Sequence, residues 1–213
     1  MPSSAAYRFA QDNAQQSWSD DVYRLYQATL DREPDLAGFS NWTGRLADGM
    51  SYLEVADGFV QSPQFMATYQ NLSNAEFVNL LYNNVLDRAA DAMGLANWTG
   101  RLDGGMTRAE VVQGFAQSAE FVAETAADVA NWIRAQGQDD LLTAGAAENL
   151  LAGGMLSDTF AFVPNTSDST VLDLEAWDSV DLRAFDYDTD AEARSYFSQQ
   201  GGMWCLMTRW ARL

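Results

Sequence analysis

Two copies of the pentapeptide Asn-Trp-Thr-Gly-Arg carry side chains that could bind a ligand. They lie at residues 41–45 and 97–101. An indole offers a flat apolar face to a sugar ring, and a neighbouring guanidinium offers several hydrogen-bond donors. The candidate carbohydrate-binding residues are Trp42, Arg45, Trp98 and Arg101.

The same tryptophans also fit positions in a hydrophobic core. Trp42 follows Phe39 by three residues and precedes Leu46 by four, and the second copy keeps this spacing. Apolar residues at this spacing share one face of a helix, which usually packs against other helices. Burial is therefore our first interpretation of the tryptophans, and sugar recognition is the alternative.

Paired aspartates at predicted helix junctions are a second candidate site. Asp31 pairs with Asp35, and Asp87 pairs with Asp91. Each pair could share a cation, but acidic residues at helix starts commonly accept hydrogen bonds from free backbone amides. We expect helix capping.

The acidic stretch 186–190 begins like an EF-hand loop. Ala191 stands where such a loop requires glycine, and Phe197 stands where it requires a bidentate glutamate. We therefore expect turn and helix-start residues there instead of a calcium loop.

The composition excludes most routes to catalysis. The chain has no histidine and no lysine, and its one cysteine is Cys205. The usual general base, the commonest zinc ligand and an internal disulfide are thus missing. An enzyme of this composition would have to use carboxylates alone, as glycosidases do, and no pair of acids stands out. We expect no catalytic residue, no cofactor-binding residue and no enzymatic activity.

The formal net charge of −18 limits the choice of partners. Such a charge repels nucleic-acid backbones and attracts divalent cations. No run of eighteen apolar residues suggests a membrane span, and residues 1–16 lack the basic and apolar regions of a cleavable signal. We expect residues 1–16 to be flexible.

An internal duplication positions the candidate residues. Residues 25–67 match 81–123 without a gap, with 23 of 43 positions identical at an offset of 56. Capping boxes are predicted at Ser51 with Glu54, Ser73 with Glu76, and Thr107 with Glu110. With the helical spacing of the apolar residues, the pattern predicts two equivalent units with about eight helices over residues 17–135.

The pattern changes after residue 136, where short apolar runs alternate with glycine, asparagine and aspartate. Residues 144–152 align with 153–161 as two nine-residue units. Strands are predicted at 159–163 and 170–174, and a closing helix at 191–199. The predicted fold class is mainly α, with a duplicated multi-helix domain followed by a small, degenerate β-roll-like region over residues 136–202.

The motif Leu-Asp-Arg-x-x-Asp-x-x-Gly-x-x-x-Trp, followed by Gly-Met, Glu-Val, Gly-Phe and Ser-x-x-Phe, resembles the DUF4214 family of bacterial secreted and surface-layer proteins. The resemblance covers both repeats. It implies an all-helical fold and an extracellular location, and it implies no catalytic function.

Residues 144–200 resemble the C-terminal region of serralysin-type RTX proteins. That family repeats the nonapeptide Gly-Gly-x-Gly-x-Asp-x-apolar-x. The unit 153–161 has Leu156 in place of a glycine, and the unit 144–152 has Asn149 in place of the aspartate. The resemblance is therefore to a degenerate member.

The segments 171–174 and 178–185 match the capping strands of the same family. This resemblance implies calcium ligands at Asn149 and Asp158. It also implies export by the type I route through a C-terminal signal.

Residues 203–213 depart from the acidic, alternating pattern before them, since they are rich in tryptophan, methionine and arginine. A shifted reading frame would restore an acidic strand here. We interpret these residues as an aberrant tail and expect them to be poorly packed.

These features together predict a non-enzymatic interaction or assembly module of an extracellular or surface-associated bacterial protein. The expected partner is a surface protein or a polysaccharide. The alternative function is a carbohydrate-binding module for cell-surface polysaccharide.

Overall fold

A computed structural model describes residues 6–10, 13–164, 168–200 and 203–206. The chain divides into two compact units, which are considered separately. The helical unit is Ser17–Val129, and the strand unit combines Met1–Gln16 with Ala130–Leu213. The mainly α fold class with a small C-terminal β region is confirmed.

Eight helices form two equivalent sets of four. The first set is α1 (Asn13–Leu30), α2 (Leu36–Ala47), α3 (Tyr52–Val60) and α4 (Pro63–Tyr69). The second set is α5 (Asn74–Leu86), α6 (Ala92–Asp103), α7 (Arg108–Ala116) and α8 (Ala119–Ala135). The three predicted capping boxes form, at the starts of α3, α5 and α7. None of the helices in the described ranges has both the length and the apolar character needed to cross a membrane.

Contacts between the two sets of helices are reciprocal. Helix α3 packs against α7, its counterpart in the other set. Tyr69 of α4 contacts Phe77 of α5, with ring centroids 5.7 Å apart. Thr125 of α8, the counterpart of Tyr69, accepts a hydrogen bond from Arg24 Nε of α1 at 3.2 Å. Because α4 meets α5 as α8 meets α1, the repeats close into a pair about an approximate two-fold axis.

The strand unit begins as a coil whose successive strands alternate between two sheets. These strands are β2 (Gln138–Thr143), β3 (Asn149–Leu151), β4 (Ser157–Ala161), β5 (Ser169–Val171) and β6 (Ser179–Asp181). Strands β2, β4 and β6 form a parallel three-stranded sheet, in which Phe160 pairs with Leu142 and with Val180. Strands β3 and β5 pair in parallel in the second sheet. One turn of the coil thus takes about 20 residues, close to two of the nine-residue units.

Three further strands complete the second sheet. They are β1 (Tyr7–Phe9), β7 (Phe197–Gln200) and β8 (Met203–Leu206), and the strand order is β3-β5-β1-β8-β7. Strand β1 is parallel to β5 and antiparallel to β8. The buried core of the unit consists of Tyr7, Phe9, Ala144, Phe160, Phe162, Val171, Phe185 and Leu206.

The expectation of a flexible N-terminus is wrong for residues 6–10. Tyr7 and Phe9 are fully buried, whereas Arg8 between them is partly exposed. This alternation places one face of β1 in the core. Three residues of alternation are too few to identify a strand from the sequence. The first five residues lie outside the described part of the chain.

The C-terminal predictions also need correction. The closing helix is α9 (Asp190–Ser195), shorter than predicted, and the chain then enters β7. The expected poor packing of the tail is wrong for Met203–Leu206, because β8 pairs on both sides and Leu206 is fully buried. Residues 201–202 and 207–213 lie outside the described residues, and the reading-frame hypothesis stays a prediction.

Replacing Phe9 by alanine should lower the free energy of unfolding of the strand unit by about 3–5 kcal/mol, the usual cost of such a core truncation. Phe9 contacts Phe162 and Phe197, each with ring centroids 5.6 Å away. Chemical denaturation combined with hydrogen exchange at β5 and β8 measures the change. The control is Arg8→Ala on the same strand, because Arg8 makes only a half-exposed ion pair with Asp168 at 3.6 Å. Such pairs contribute about 0–1 kcal/mol, so equal effects of the two variants would contradict the central position of β1.

Candidate functional site

The first repeat presents a half-buried indole at its surface. Trp42 packs against Phe59 of α3, with ring centroids 5.1 Å apart. The guanidinium carbon of Arg45, one turn further along α2, lies 4.9 Å from the indole centroid. Arg45 is exposed, whereas Trp42 is only partly covered. We call this group the first indole site.

The second indole site repeats the first with nearly the same distances. Trp98 lies 5.3 Å from Phe115 and 5.2 Å from the guanidinium carbon of Arg101. Trp98 is half-buried, and Arg101 is exposed. The structure thus brings the predicted binding residues together within each repeat. In both sites the guanidinium lies over the ring on which a sugar would stack.

Glycine allows each indole to approach the next helix. A Cβ atom added at Gly58 would lie 2.5 Å from the ring of Trp42. One added at Gly114 would lie 2.4 Å from the ring of Trp98. Any larger residue would push the indole away from α3 or α7, so the repeated Gly-Phe pair is needed to seat the tryptophan.

The other repeated residues position the start of α2. The Tyr26 hydroxyl lies against Gly38, where an added Cβ would be 2.1 Å away. The Arg32 guanidinium carbon lies 4.9 Å from the Tyr26 ring centroid. The Gly38 N–H donates to Asp35 Oδ1 at 2.9 Å, which caps the helix.

The second repeat keeps this arrangement with Tyr82, Gly94, Arg88 and Asp91. Side-chain capping is therefore confirmed for Asp35 and Asp91, whereas Asp31 and Asp87 follow α1 and α5 with a positive φ.

The predicted calcium ligands Asn149 and Asp158 are not brought together, since they lie in strands of different sheets. Asn149 Nδ2 donates to the carbonyls of Gly145 and Ala147 and to Ser169 Oγ. Asn149 Oδ1 accepts from the Gly145 N–H at 2.9 Å. Both the oxygen and the nitrogen of the Asn149 amide are therefore engaged in hydrogen bonds that fix a turn.

Asp158 instead belongs to an acid cluster with Asp173, Glu175 and Asp178. Asp178 accepts hydrogen bonds from the N–H groups of Asp158 and Glu175, at 2.9 and 2.8 Å. Asp173 accepts from the N–H groups of Gly153 and Gly154, at 3.0 and 2.9 Å. Asp158 Oδ2 lies beside the first of these glycines, because a Cβ at Gly153 would lie 2.2 Å from it. Backbone amides thus hold the carboxyl groups of the three aspartates, and the Asp140 N–H is the one that binds Asp158.

Two of these carboxyl groups are buried, and in each of them one oxygen accepts no hydrogen bond from the described residues. Asp158 is 1% exposed and Glu175 is 4% exposed. Glu175 Oε2 accepts a hydrogen bond from Trp177 Nε1 at 2.8 Å. Asp158 Oδ2 and Glu175 Oε1 have no hydrogen-bond partner in the described part of the chain. Unpartnered buried oxygens favour the neutral form of a carboxyl group or a bound cation.

The pKa values of the acid cluster reflect this burial. Burial, with a further contribution from the charge of Asp178, raises the pKa of Glu175 to about 9. Burial raises the pKa of Asp158 to about 7, against the lowering effect of the hydrogen bond from the Asp140 N–H. Burial likewise raises the pKa of Asp178 to about 6. A proton is therefore retained by the cluster at neutral pH.

The acid cluster has the donor chemistry of a site for a hard cation but not a preformed cage. Carboxylate oxygens are the ligands that Ca²⁺ prefers. Over the described residues, however, no three ligating side chains converge on one point. The sequence identified Asp158 but missed Glu175 as its neighbour. The available signal was the coil period, which places Asp178 twenty residues after Asp158.

A surface groove of about 840 Å³ lies elsewhere in the strand unit, and the stretch 186–190 lines part of it. Thr189 caps α9, and the Asp188 N–H donates to Glu192 at 2.7 Å. Asp181, also at the groove, is paired with Arg183 through an Nη2 to Oδ2 distance of 2.6 Å. The stretch therefore forms a turn and a helix start, as predicted. None of the acid cluster residues lines this groove.

Comparison with protein families gives one finding. The model of a family described as "Domain of unknown function (DUF4214)" matches residues 4–69 and 56–125, which together span more than half of the chain. No curated protein gives a significant match. No solved structure gives one either.

Replacing Gly58 by alanine should lower the free energy of unfolding of the helical unit by about 1–3 kcal/mol, because the added methyl group overpacks Trp42. Tryptophan fluorescence should shift as the indole is displaced. The matched control is Gly44→Ala in α2, where an added Cβ meets nothing within 4 Å. That control should stabilise the helix by about 0.5–1 kcal/mol. A neutral result for Gly58→Ala would contradict the close contact.

The strand unit should lose stability as the pH rises from about 4.5 to 9. The folded-state pKa of Glu175, about 9, lies above its ordinary value of 4.5. Its contribution to folding is therefore complete below the ordinary value and is lost as the pH passes through the raised one. Glu175→Gln should remove part of this dependence and melt above the original chain at pH 8. The control is Glu148→Gln at an exposed position, and an identical pH profile for all three proteins would refute the role of Glu175.

Proposed function

The chain belongs to the DUF4214 family, and on this premise we propose that it is a non-enzymatic interaction or assembly module of an extracellular or surface-associated bacterial protein. The proposal includes export by the type I route, through the C-terminal signal that the resemblance to RTX proteins implies. The family description names no activity. Support for an interaction function comes from the geometry of the helical unit.

The supporting observation is that one surface occurs twice. Each indole site has an exposed arginine over a half-buried tryptophan, at matching positions of two repeats that close about an approximate two-fold axis. A unit with two equal surfaces can engage two equal points on a repetitive partner, such as a surface-protein lattice or a polymer. Engagement of both sites multiplies the affinity without any new contact.

A polysaccharide is the second candidate partner. The observation that favours it is that neither Trp42 nor Trp98 is fully buried. Arg45 and Arg101 would have to swing off the rings, and they could then donate hydrogen bonds to sugar hydroxyl groups. Binding of nucleic acid is not part of the proposal, because the net charge of −18 opposes it.

We also propose weak calcium binding in the strand unit. The support for it is the pair of unpartnered oxygens on Asp158 and Glu175. Asn149 would contribute little, since both atoms of its amide already bond to the protein. Calcium would have to displace the proton that the cluster holds, which weakens binding at neutral pH.

The double variant Arg45→Ala, Arg101→Ala should bind native bacterial cell surfaces at least tenfold more weakly than the original chain. Each single variant should fall in between, because two sites contribute. Sedimentation of the purified protein with intact cells measures binding, and a polysaccharide array identifies the partner class. Arg194→Ala, at an exposed position outside the repeats, is the charge-matched control for each single variant. Equal binding by the double variant and the control would contradict the proposal. Array signals that depend on both arginines would favour the polysaccharide as the partner.

A further inference from the structure

The two seams that close the pair of repeats differ in chemistry. The aromatic seam joins α4 to α5, and the polar seam joins α8 to α1. Residues at an offset of 56 occupy matching places in the two seams. The polar seam contains Ser19, Asp20, Asp21, Arg24, Tyr52, Gln117 and Thr125, and its counterparts are Ala75, Glu76, Phe77, Leu80, Arg108, Gln61 and Tyr69.

The aromatic seam is a continuous cluster of buried rings. Phe65 stacks on Tyr69 with centroids 4.3 Å apart, and both rings contact Phe77. All three side chains are at least 98% buried. Arg108 covers the cluster, with its guanidinium carbon 4.6 Å from the Phe77 centroid, and donates to the carbonyls of Tyr69 and Leu72. The end of α4 is thereby held to α5 and α7.

The polar seam replaces two of these rings with Thr125 and Asp21. Arg24, which is 5% exposed, donates from Nε to Thr125 Oγ1 at 3.2 Å and pairs with Asp20 at 3.2 Å. Gln117 donates to Asp21 at 3.5 Å. Two aromatic side chains are thus exchanged for polar groups at matching positions, with the loss of their apolar contacts.

The charges in the polar seam do not compensate for this loss. Burial raises the pKa of Asp20, although the charge of Arg24 and its hydrogen bond act in the opposite direction. Burial also raises the pKa of Asp21, against the hydrogen bond from Gln117 and the charge of Arg24. The cost of removing these carboxylates from water therefore exceeds the attraction of the neighbouring cation.

Two hydroxyl groups add to the weakness of the polar seam. Ser19 Oγ and the Tyr52 hydroxyl are buried without a hydrogen-bond partner among the residues described. Burial raises the pKa of Tyr52, and the charge of Asp21 raises it further, whereas the charge of Arg24 lowers it. The matching positions hold Ala75, which has no hydroxyl, and Arg108, which donates hydrogen bonds to two backbone carbonyls.

From this asymmetry we propose that the helical unit opens at the polar seam, with α1 separating from α8 while the aromatic seam stays closed. The opened state exposes Arg24, which is buried in the closed state, beside Asp20 and Asp21, which are partly exposed already. The duplication thus supplies one permanent seam and one that opens. This property is separate from the binding proposed for the indole sites.

Hydrogen exchange of the whole chain tests the proposal, because the matching helices serve as internal controls. After correction for intrinsic rates, the amides of residues 22–29 in α1 should exchange at least tenfold faster than those of residues 78–85 in α5. Both segments end one residue before the last residue of their helix, and residues 22–29 lie further from the start of α1 than residues 78–85 lie from the start of α5, so fraying would not produce faster exchange in α1. Equal protection in the two helices, or faster exchange in α5, would overturn the proposal.

Two conservative variants locate the cause. Ser19→Ala introduces the residue that the aromatic seam has at the matching position, Ala75. It should slow exchange in α1 at least threefold, because it removes an unpartnered buried hydroxyl. Tyr69→Thr makes the reverse change and should speed exchange in α5. If exchange in α1 were the same in Ser19→Ala as in the original chain, the polar seam would be refuted as the origin of the opening. This holds even if α1 exchanges quickly in the original chain.

Discussion

The contact between an indole and the bare backbone of a neighbouring helix organises the helical unit. Trp42 meets α3 at Gly58, and Trp98 meets α7 at Gly114. Helix α3 in turn packs on α7, so the two contacts are linked across the approximate two-fold axis. The indole also supports the guanidinium one turn further along its own helix. The exposed surface that we propose for binding is therefore a direct product of how the helices are joined.

The strand unit is held together by a different balance of forces. Its aromatic core is shared between two sheets, while four carboxyl groups are gathered at turns of the coil. A neutral carboxyl group is compatible with burial, whereas a charged one needs a counterion. The stability of the strand unit is thus sensitive to the pH of the surrounding solution.

The sequence predicted the structural elements that occur in both repeats and missed those that occur only once. The duplication fixed eight helices, and Ser51, Ser73 and Thr107 marked three starts, because local capping rules need no tertiary information. The pairing of Trp42 with Arg45 followed from their spacing on one helix. By contrast, β1 has only three residues of alternation, and its partners lie far away in the chain. Asp158 and Glu175 meet only because the coil returns after about 20 residues, a period set by the fold.

The position of β1 has a consequence for how the chain matures. Tyr7 pairs with Ser169 on one side and with Leu206 on the other. The strand is synthesised well before its partners, and its sheet cannot close until residues far along the chain are available. Contacts of such long range slow folding, whereas the local contacts of the helices form early. During synthesis the apolar face of β1 therefore stays exposed until these partners are made, and a chaperone would have its longest opportunity to bind at this segment.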